Sequence, residues 1–197
     1  MKKIKIRFYK VLFIILLITL VVTIFLIVQK YGNQYEYEKE SKKVIEVFNQ
    51  SEEKIDETGL SVVEYKGYKV IGIIKIPKID LEYPILEKTT KESMLISISR
   101  FWGGDINGYG NVSLAGHNNR ATLTMFGKNK YLEIGDSIFL TGLDNKTIEY
   151  KIYKTFLTDP NDVTILKTTD DKSREVTLIT CSKGHENRLI IKAKEIE

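Results

Sequence analysis

The sequence predicts an all-β domain, a closed β-barrel of about eight strands with short helices, preceded by an N-terminal transmembrane helix. Two observations support this prediction. Residues 11–28 form an apolar run that is broken only by Thr19 and Thr23. From residue 69 onward, short runs rich in Val, Ile and Thr alternate with turn residues, which is typical of a sandwich or a closed barrel. About 130 residues are enough to bury a core of their own.

The N-terminal segment has the features of a retained signal anchor. The 18 residues of 11–28 span about 27 Å as a helix, close to the roughly 30 Å hydrocarbon core of a bilayer. The first alanine in the chain is Ala115, so no small-residue cleavage site comes after the run. A basic tail at 1–10 precedes it, which predicts a cytoplasmic N-terminus, a single pass and an extracellular remainder. Five cations and no acid make up the charge of this tail: Lys2, Lys3, Lys5, Arg7 and Lys10.

The charge balance argues against a nucleic-acid partner. The formal net charge is +4, and the five cations of the tail exceed it, so the rest of the chain carries about one net negative charge. We attribute the basic balance to membrane topology and expect no nucleic acid among the partners.

Residues 29–68 differ in composition from the C-terminal part of the chain. Glu and Lys alternate through 35–43, while Val44, Ile45 and Phe48 recur at helical spacing. We expect a partly helical, solvated extracellular stalk over 29–68 and a catalytic domain over 69–197.

Within the domain, β-branched runs bounded by turn residues predict seven strands and two short helical pieces. The predicted strands are 70–76, 82–86, 111–115, 137–141, 147–157, 175–180 and 188–194, with helical pieces near 91–98 and 124–131.

The chemistry-bearing residues lie at predicted strand ends. Cys181, the only cysteine, closes one strand, and Arg188 opens the next after a polar loop. A lone cysteine is usually a small buried hydrophobe. Here an external location would expose an unpaired thiol to oxidation, a fixed cation is close in sequence, and His117 comes directly after another strand. These features indicate one site at one edge of a β-fold, able to perform acyl transfer with Cys181 as nucleophile.

These residues resemble the sortases, the cysteine transpeptidases of Gram-positive cell surfaces. TLITC at 177–181 resembles the TLxTC signature, LAGH at 114–117 resembles the strand that carries the family's histidine, and Arg188 stands where the family places its arginine. Residues 71–79 and 83–86 are similar to the family's first two strands. The resemblance covers about residues 69–197.

The resemblance implies roles and partners. Cys181 would be the nucleophile, His117 the acid/base and Arg188 the stabiliser of the oxyanion or substrate, with Thr180 and Ala115 as substrate contacts. The substrates would be proteins with an LPxTG-like sorting signal, cleaved between Thr and Gly. The acceptor would be an amine of the peptidoglycan precursor lipid II, and no cofactor is implied.

His185 is the alternative acid/base, but it lies on a loop, whereas His117 comes after a strand and matches the family's motif. Some sortases bind calcium in this region. Because Asp105 is the only acid between Arg100 and His117, we expect no metal.

Two differences from known subgroups of the sortase family narrow the class to which this sequence could belong. Residues 157–175 hold no long insertion of the kind that iron-acquisition sortases carry. The Asp-Pro-aromatic lid of pilus-polymerising sortases is missing from 29–68, since the only Asp-Pro is Asp159-Pro160. A class A or class D anchoring enzyme fits best.

Three other interpretations of the sequence each predict a feature by which they can be told apart from a sortase. An L,D-transpeptidase has its cysteine after a Ser-x-Gly element, whereas Leu178-Ile179-Thr180 precedes Cys181 here. Papain-like peptidases place Cys before His, at a helix start. A membrane-tethered, non-catalytic β-barrel that binds wall or surface proteins would bury Cys181, and native thiol labelling would then be slow.

Overall fold

The computed structural model describes residues 2–51, 63–119, 122–168, 170, 172–182, 184 and 186–196. Two compact units make up the chain, Met1–Lys39 and Glu40–Glu197. The first contains most of helix α1 (Lys2–Gln50). Within α1, the 22-residue segment Phe8–Gln29 is long and apolar enough to cross a membrane, and its apolar side chains are exposed.

The second unit is built from strands and a few short helical turns. Strands β1–β5 are Glu64–Tyr65, Tyr68–Ile76, Leu81–Leu86, Ile98–Trp102 and Gly110–Ala115. Strands β6–β11 are Asn118–Asn119, Thr124–Met125, Ser137–Thr141, Thr147–Thr158, Arg174–Cys181 and Arg188–Glu195. The helical pieces are α2 (Lys91–Ile96) and three 3₁₀ helices at Pro77–Ile79, Phe126–Tyr131 and Val163–Leu166.

Eight of the strands close into a barrel. Their order is β2-β3-β4-β5-β10-β11-β9-β8, and β8 returns to pair with β2 through Ile73↔Thr141, Ile74↔Leu140 and Lys75↔Phe139. Closure leaves no open edge among these eight strands. The predicted eight-stranded closed barrel is confirmed.

The barrel interior results from side-chain alternation along the strands. Each fully buried aliphatic side chain contributes roughly 1.5–3 kcal/mol to folding. The interior includes Ile74, Ile76, Ile85, Ile98, Val112, Leu114, Ile138, Leu140, Val176, Leu178 and Ile191.

The seven predicted strands are all present, with bounds within two residues of those expected. Strand β4 was missed, because the helical piece expected near 91–98 ends at Ile96. Ser97 is already extended, and its hydroxyl donates to the Pro84 carbonyl at 2.6 Å. The piece expected at 124–131 begins with β7 and continues as a 3₁₀ helix.

The C-terminal end of α1, from Glu40 onward, belongs to the second unit and packs within it. Ile45 and Phe48 are buried in a second apolar cluster with Tyr65, Val70 and Leu86. In this part of the expected stalk one face of the helix is buried, and the other face is exposed.

Candidate active site

The last rung of the β10–β11 ladder carries two of the predicted site residues. The two strands are antiparallel, and Cys181 lies directly opposite Arg188. Since Leu178 faces the barrel interior, alternation places Cys181 on the outer face. Both side chains are half-buried, and Cys181 is a free thiol.

His117 reaches the same edge through the neighbouring strand. Strand β5 runs parallel to β10, with Ala115 opposite Ile179. The pairing extends one residue further, because the Gly116 amide donates to the Ile179 carbonyl at 3.2 Å. His117 is the next residue and is half-buried.

Two side-chain hydrogen bonds fasten the histidine segment to the cysteine strand. The Asn118 amide donates through Nδ2 to the Cys181 carbonyl at 2.6 Å. The Thr180 hydroxyl donates to the Gly116 carbonyl at 2.8 Å. These bonds lie on either side of His117, so the loop that carries it has a fixed position relative to Cys181. Net hydrogen bonds of this kind each contribute about 1 kcal/mol.

Asn118 is a site residue that the sequence did not reveal. Its Oδ1 atom is buried and accepts no hydrogen bond from the described part of the chain. The only sequence signal was its place directly after His117, and asparagine in a loop usually indicates turn chemistry.

Two hydrogen bonds between Ser182 and Asn187 define the turn between Cys181 and Arg188. The Ser182 amide donates to the Asn187 carbonyl at 2.8 Å, and the Asn187 amide donates to the Ser182 hydroxyl at 3.2 Å. Gly184 adopts a φ of 87°, a left-handed conformation that glycine accommodates without strain. The alternative acid/base, His185, lies outside the described residues.

Thr180 and Ala115, the predicted substrate contacts, are both buried. The Thr180 hydroxyl already donates its hydrogen bond to the Gly116 carbonyl. Their contact with substrate stays a prediction. Within the described residues, no group of three His, Cys, Asp or Glu side chains is placed to hold a metal ion.

Comparison with known proteins is consistent with this arrangement. The family model for the sortase domain matches residues 74–196. Sortase A of Listeria monocytogenes is 32% identical over 122 residues, which are 62% of this chain and 54% of that protein. Sortase A of Bacillus anthracis is 30% identical over 155 residues, 77% of this chain and 70% of that protein.

Among solved structures, the Clostridium perfringens sortase D5 transpeptidase superposes with a TM-score of 0.65 at 31% identity, covering 81% of this chain and 98% of that one. The chain spans only about half the length of the Listeria relative. The matched region contains nearly all of the β-barrel and all three predicted catalytic residues. By its sequence and its fold, the chain belongs to the sortase family.

Proposed function

We propose that the protein is a cysteine transpeptidase that joins surface proteins to the cell wall. The observation that carries this proposal is the last rung of the β10–β11 ladder. It pairs the only thiol of the chain with a guanidinium, beside a histidine segment that is hydrogen-bonded to that thiol's own residue. Family membership supports the same conclusion.

The reaction consists of two acyl transfers. The Cys181 thiolate attacks a peptide carbonyl, and a tetrahedral oxyanion forms. When the intermediate collapses, the C–N bond breaks and His117 donates a proton to the departing amine. The acyl group then rests on Cys181 as a thioester. An incoming amine, deprotonated by His117, attacks this thioester, forms a new amide and releases the thiolate.

Arg188 stabilises the oxyanion or the substrate backbone. Its guanidinium is permanently charged and presents several N–H donors in a planar fork. Directed donors aimed at developing charge usually form the largest single contribution to acyl-transfer catalysis. Its pairing directly opposite Cys181 supports this role, because such residues in an antiparallel ladder have Cβ atoms only about 4.5–5.5 Å apart.

The substrate class is inferred from the family. We propose that the enzyme cleaves an LPxTG-like sorting signal between Thr and Gly and transfers the protein to an amine of lipid II. We further propose that residues 11–28 anchor the chain by a single pass in the cell membrane, with the tail 1–10 cytoplasmic and the barrel outside. The apolar length of Phe8–Gln29 supports the anchor, and the cations before it support the orientation.

A peptide assay tests the proposal. The full chain in detergent micelles is incubated with LPxTG-like peptides and hydroxylamine, and the hydroxamate ending at Thr is measured by mass. We expect product from the parent and none from Cys181→Ala, which should fold normally. A parent that forms no hydroxamate with any peptide of the panel, or an active Cys181→Ala, would contradict the proposal.

A further inference from the structure

Three rungs on the outer face of the β10–β11 ladder lie nearest to the candidate site, which forms the first of them. Side chains two residues apart on a strand share a face, so every second pair of the register lies on the side of Cys181. From the site downward, the rungs are Cys181↔Arg188, Ile179↔Ile190 and Thr177↔Lys192.

The β9–β10 loop, described without a gap over residues 159–168, covers the two lower rungs. Its 3₁₀ helix, Val163–Leu166, inserts Ile165 into an apolar cluster with Ile179 and Ile190. The loop starts directly after Thr158, which pairs with Arg188 across the β9–β11 ladder. The loop therefore lies beside the candidate site.

Polar side chains on the sheet hold the C-terminal end of this 3₁₀ helix. The last carbonyls of a helix have no partner within it. Here the Asn111 amide donates to the Ile165 and Leu166 carbonyls at 3.3 and 3.0 Å. The Lys192 ammonium donates to the Lys167 carbonyl at 3.0 Å. Three consecutive carbonyls of the loop are thus fixed to strands β5 and β11.

A third side chain orients the asparagine. The Thr177 hydroxyl donates to Asn111 Oδ1 at 2.9 Å, which turns the amide nitrogen toward the loop. Asn111, Thr177 and Lys192 are all buried, with Lys192 only 8% exposed. We call these three residues the loop clasp.

The opposite end of the 3₁₀ helix is capped as well. Asp162 accepts hydrogen bonds from the Thr164 amide at 2.9 Å and from the Thr158 hydroxyl at 2.5 Å. The cap connects the helix to the end of β9, and the loop clasp connects it to β5 and β11. The helix is held at both ends.

Burial of an ammonium at this position is unfavourable in itself. Burial disfavours the ammonium and lowers the pKa of Lys192, with Lys154 and Lys194 acting in the same direction and Glu175 against them. A buried ammonium is tolerated where it is hydrogen-bonded. What the ammonium supplies is a directed bond to one loop carbonyl.

We propose that the loop clasp holds the β9–β10 loop in a fixed position beside the candidate site, and that Lys192 is a positioning residue for the sorting-signal substrate. This inference rests on the proposed transpeptidase function. Lys192 touches no reacting atom. It acts through the loop, so its loss changes how the peptide is held and leaves the thiol chemistry intact.

The test compares Lys192→Met with Lys154→Met in the full chain. Methionine keeps the length of the side chain and removes the donor. Lys154 is exposed and lies directly opposite Lys192 on β9, so its substitution removes a neighbouring charge without removing a bond to the loop. The measurements are kcat and KM with a sorting peptide, iodoacetamide alkylation of Cys181, and hydrogen–deuterium exchange of the amides at 163–168.

We expect Lys192→Met to raise KM at least tenfold and to accelerate exchange of the Lys167 amide, which donates to the Thr164 carbonyl, at least tenfold. Alkylation of Cys181 should stay within twofold of the parent, and Lys154→Met should match the parent throughout. A Lys192→Met enzyme with parental KM and parental exchange would overturn the proposal.

A second, milder substitution keeps the test valid if Lys192→Met does not fold. Thr177→Val is nearly isosteric and removes only the bond that orients Asn111. It should shift KM and exchange in the same direction by a smaller factor, and unchanged values would also count against the loop clasp. If the parent forms no product at all, the proposed function fails. The exchange measurement still decides whether the clasp orders the loop.

Discussion

Replacing Arg188 by lysine separates two roles that this residue could have in the candidate site. The substitution keeps the positive charge and removes the planar fork of donors. If Arg188 acted only as a nearby charge, lysine would retain most of the activity. If it donates directed hydrogen bonds to the oxyanion, lysine would lose most of it. We expect the second result.

The two roles of Arg188 differ in the energy that a lysine would retain. Residues directly opposite each other in an antiparallel ladder have Cβ atoms about 4.5–5.5 Å apart, and Arg188 is opposite Cys181. A charge about 5 Å from a developing anion, at an effective dielectric constant near 20, would stabilise it by roughly 3 kcal/mol, whether lysine or arginine carried that charge. Loss of one directed oxyanion donor costs about 2.7–4 kcal/mol, or roughly 10²–10³ in kcat.

The assay measures kcat and KM for the full chain with an LPxTG-like peptide and hydroxylamine. Arg188→Lys should lose roughly 10²–10³-fold in kcat with little change in KM, and iodoacetamide should alkylate Cys181 at nearly the parental rate. Arg174→Lys is the matched control, because Arg174 opens strand β10 at the end opposite Cys181 and is ion-paired with Glu195 at 2.9 Å. An Arg188→Lys enzyme within threefold of the parent would refute the assignment of a directed donor.

Three further predictions concern other parts of the molecule. Asn118→Ala removes the bond to the Cys181 carbonyl, so kcat should fall about tenfold while the melting temperature changes by only a few degrees, and an unchanged kcat would contradict a positioning role. Hydrogen bonds from Thr158 and Thr164 hold the pKa of Asp162 below its ordinary value of 3.8. A lowered folded-state pKa adds stability above the unfolded value, and this stability is lost as the pH falls through the folded value. The excess melting temperature of the parent over Asp162→Asn should therefore be constant above about pH 5 and shrink at lower pH, whereas a pH-independent difference would argue against this cap. Finally, protease added to intact protoplasts should remove the barrel domain, and protection of the domain would exclude the proposed orientation.

The strands and the position of the candidate site could be predicted because both depend on local pattern. β-branched runs ended by turn residues predicted strands β10 and β11 to within a residue or two. Once two strands are joined by a short loop, the last residue of the first and the first residue of the second must lie at one edge. Cys181 could therefore be placed beside Arg188 without knowledge of the register, which the structure pairs directly.

Strand β4 could not be predicted because its local signals conflict. Thr90 begins a capped helical turn with Ser93, which made 91–98 resemble one helix. The extended backbone at Ser97 depends on its hydroxyl reaching Pro84, a partner 13 residues away. Local propensity contains no information on such a contact.

The contacts of Asn118 and Lys192 also depend on register and not on local sequence. Asn118 bonds a carbonyl 63 residues away, and Lys192 bonds one 25 residues away. Alternation alone would place Lys192 on the same face as Arg188. Its burial, however, depends on a loop that folds back over the lower rungs, and the sequence of that loop indicates only turns.

The most direct test of the proposed function is the identity of the atom that carries the acyl group. The full chain is mixed with an LPxTG-like peptide in the absence of any amine acceptor, quenched in acid, digested and analysed by mass. We expect the fragment containing Cys181 to gain the mass of the peptide's acyl portion ending at Thr, and hydroxylamine to remove it as the hydroxamate. Turnover of the peptide with no adduct on Cys181, or with an adduct on another residue, would contradict the proposed mechanism.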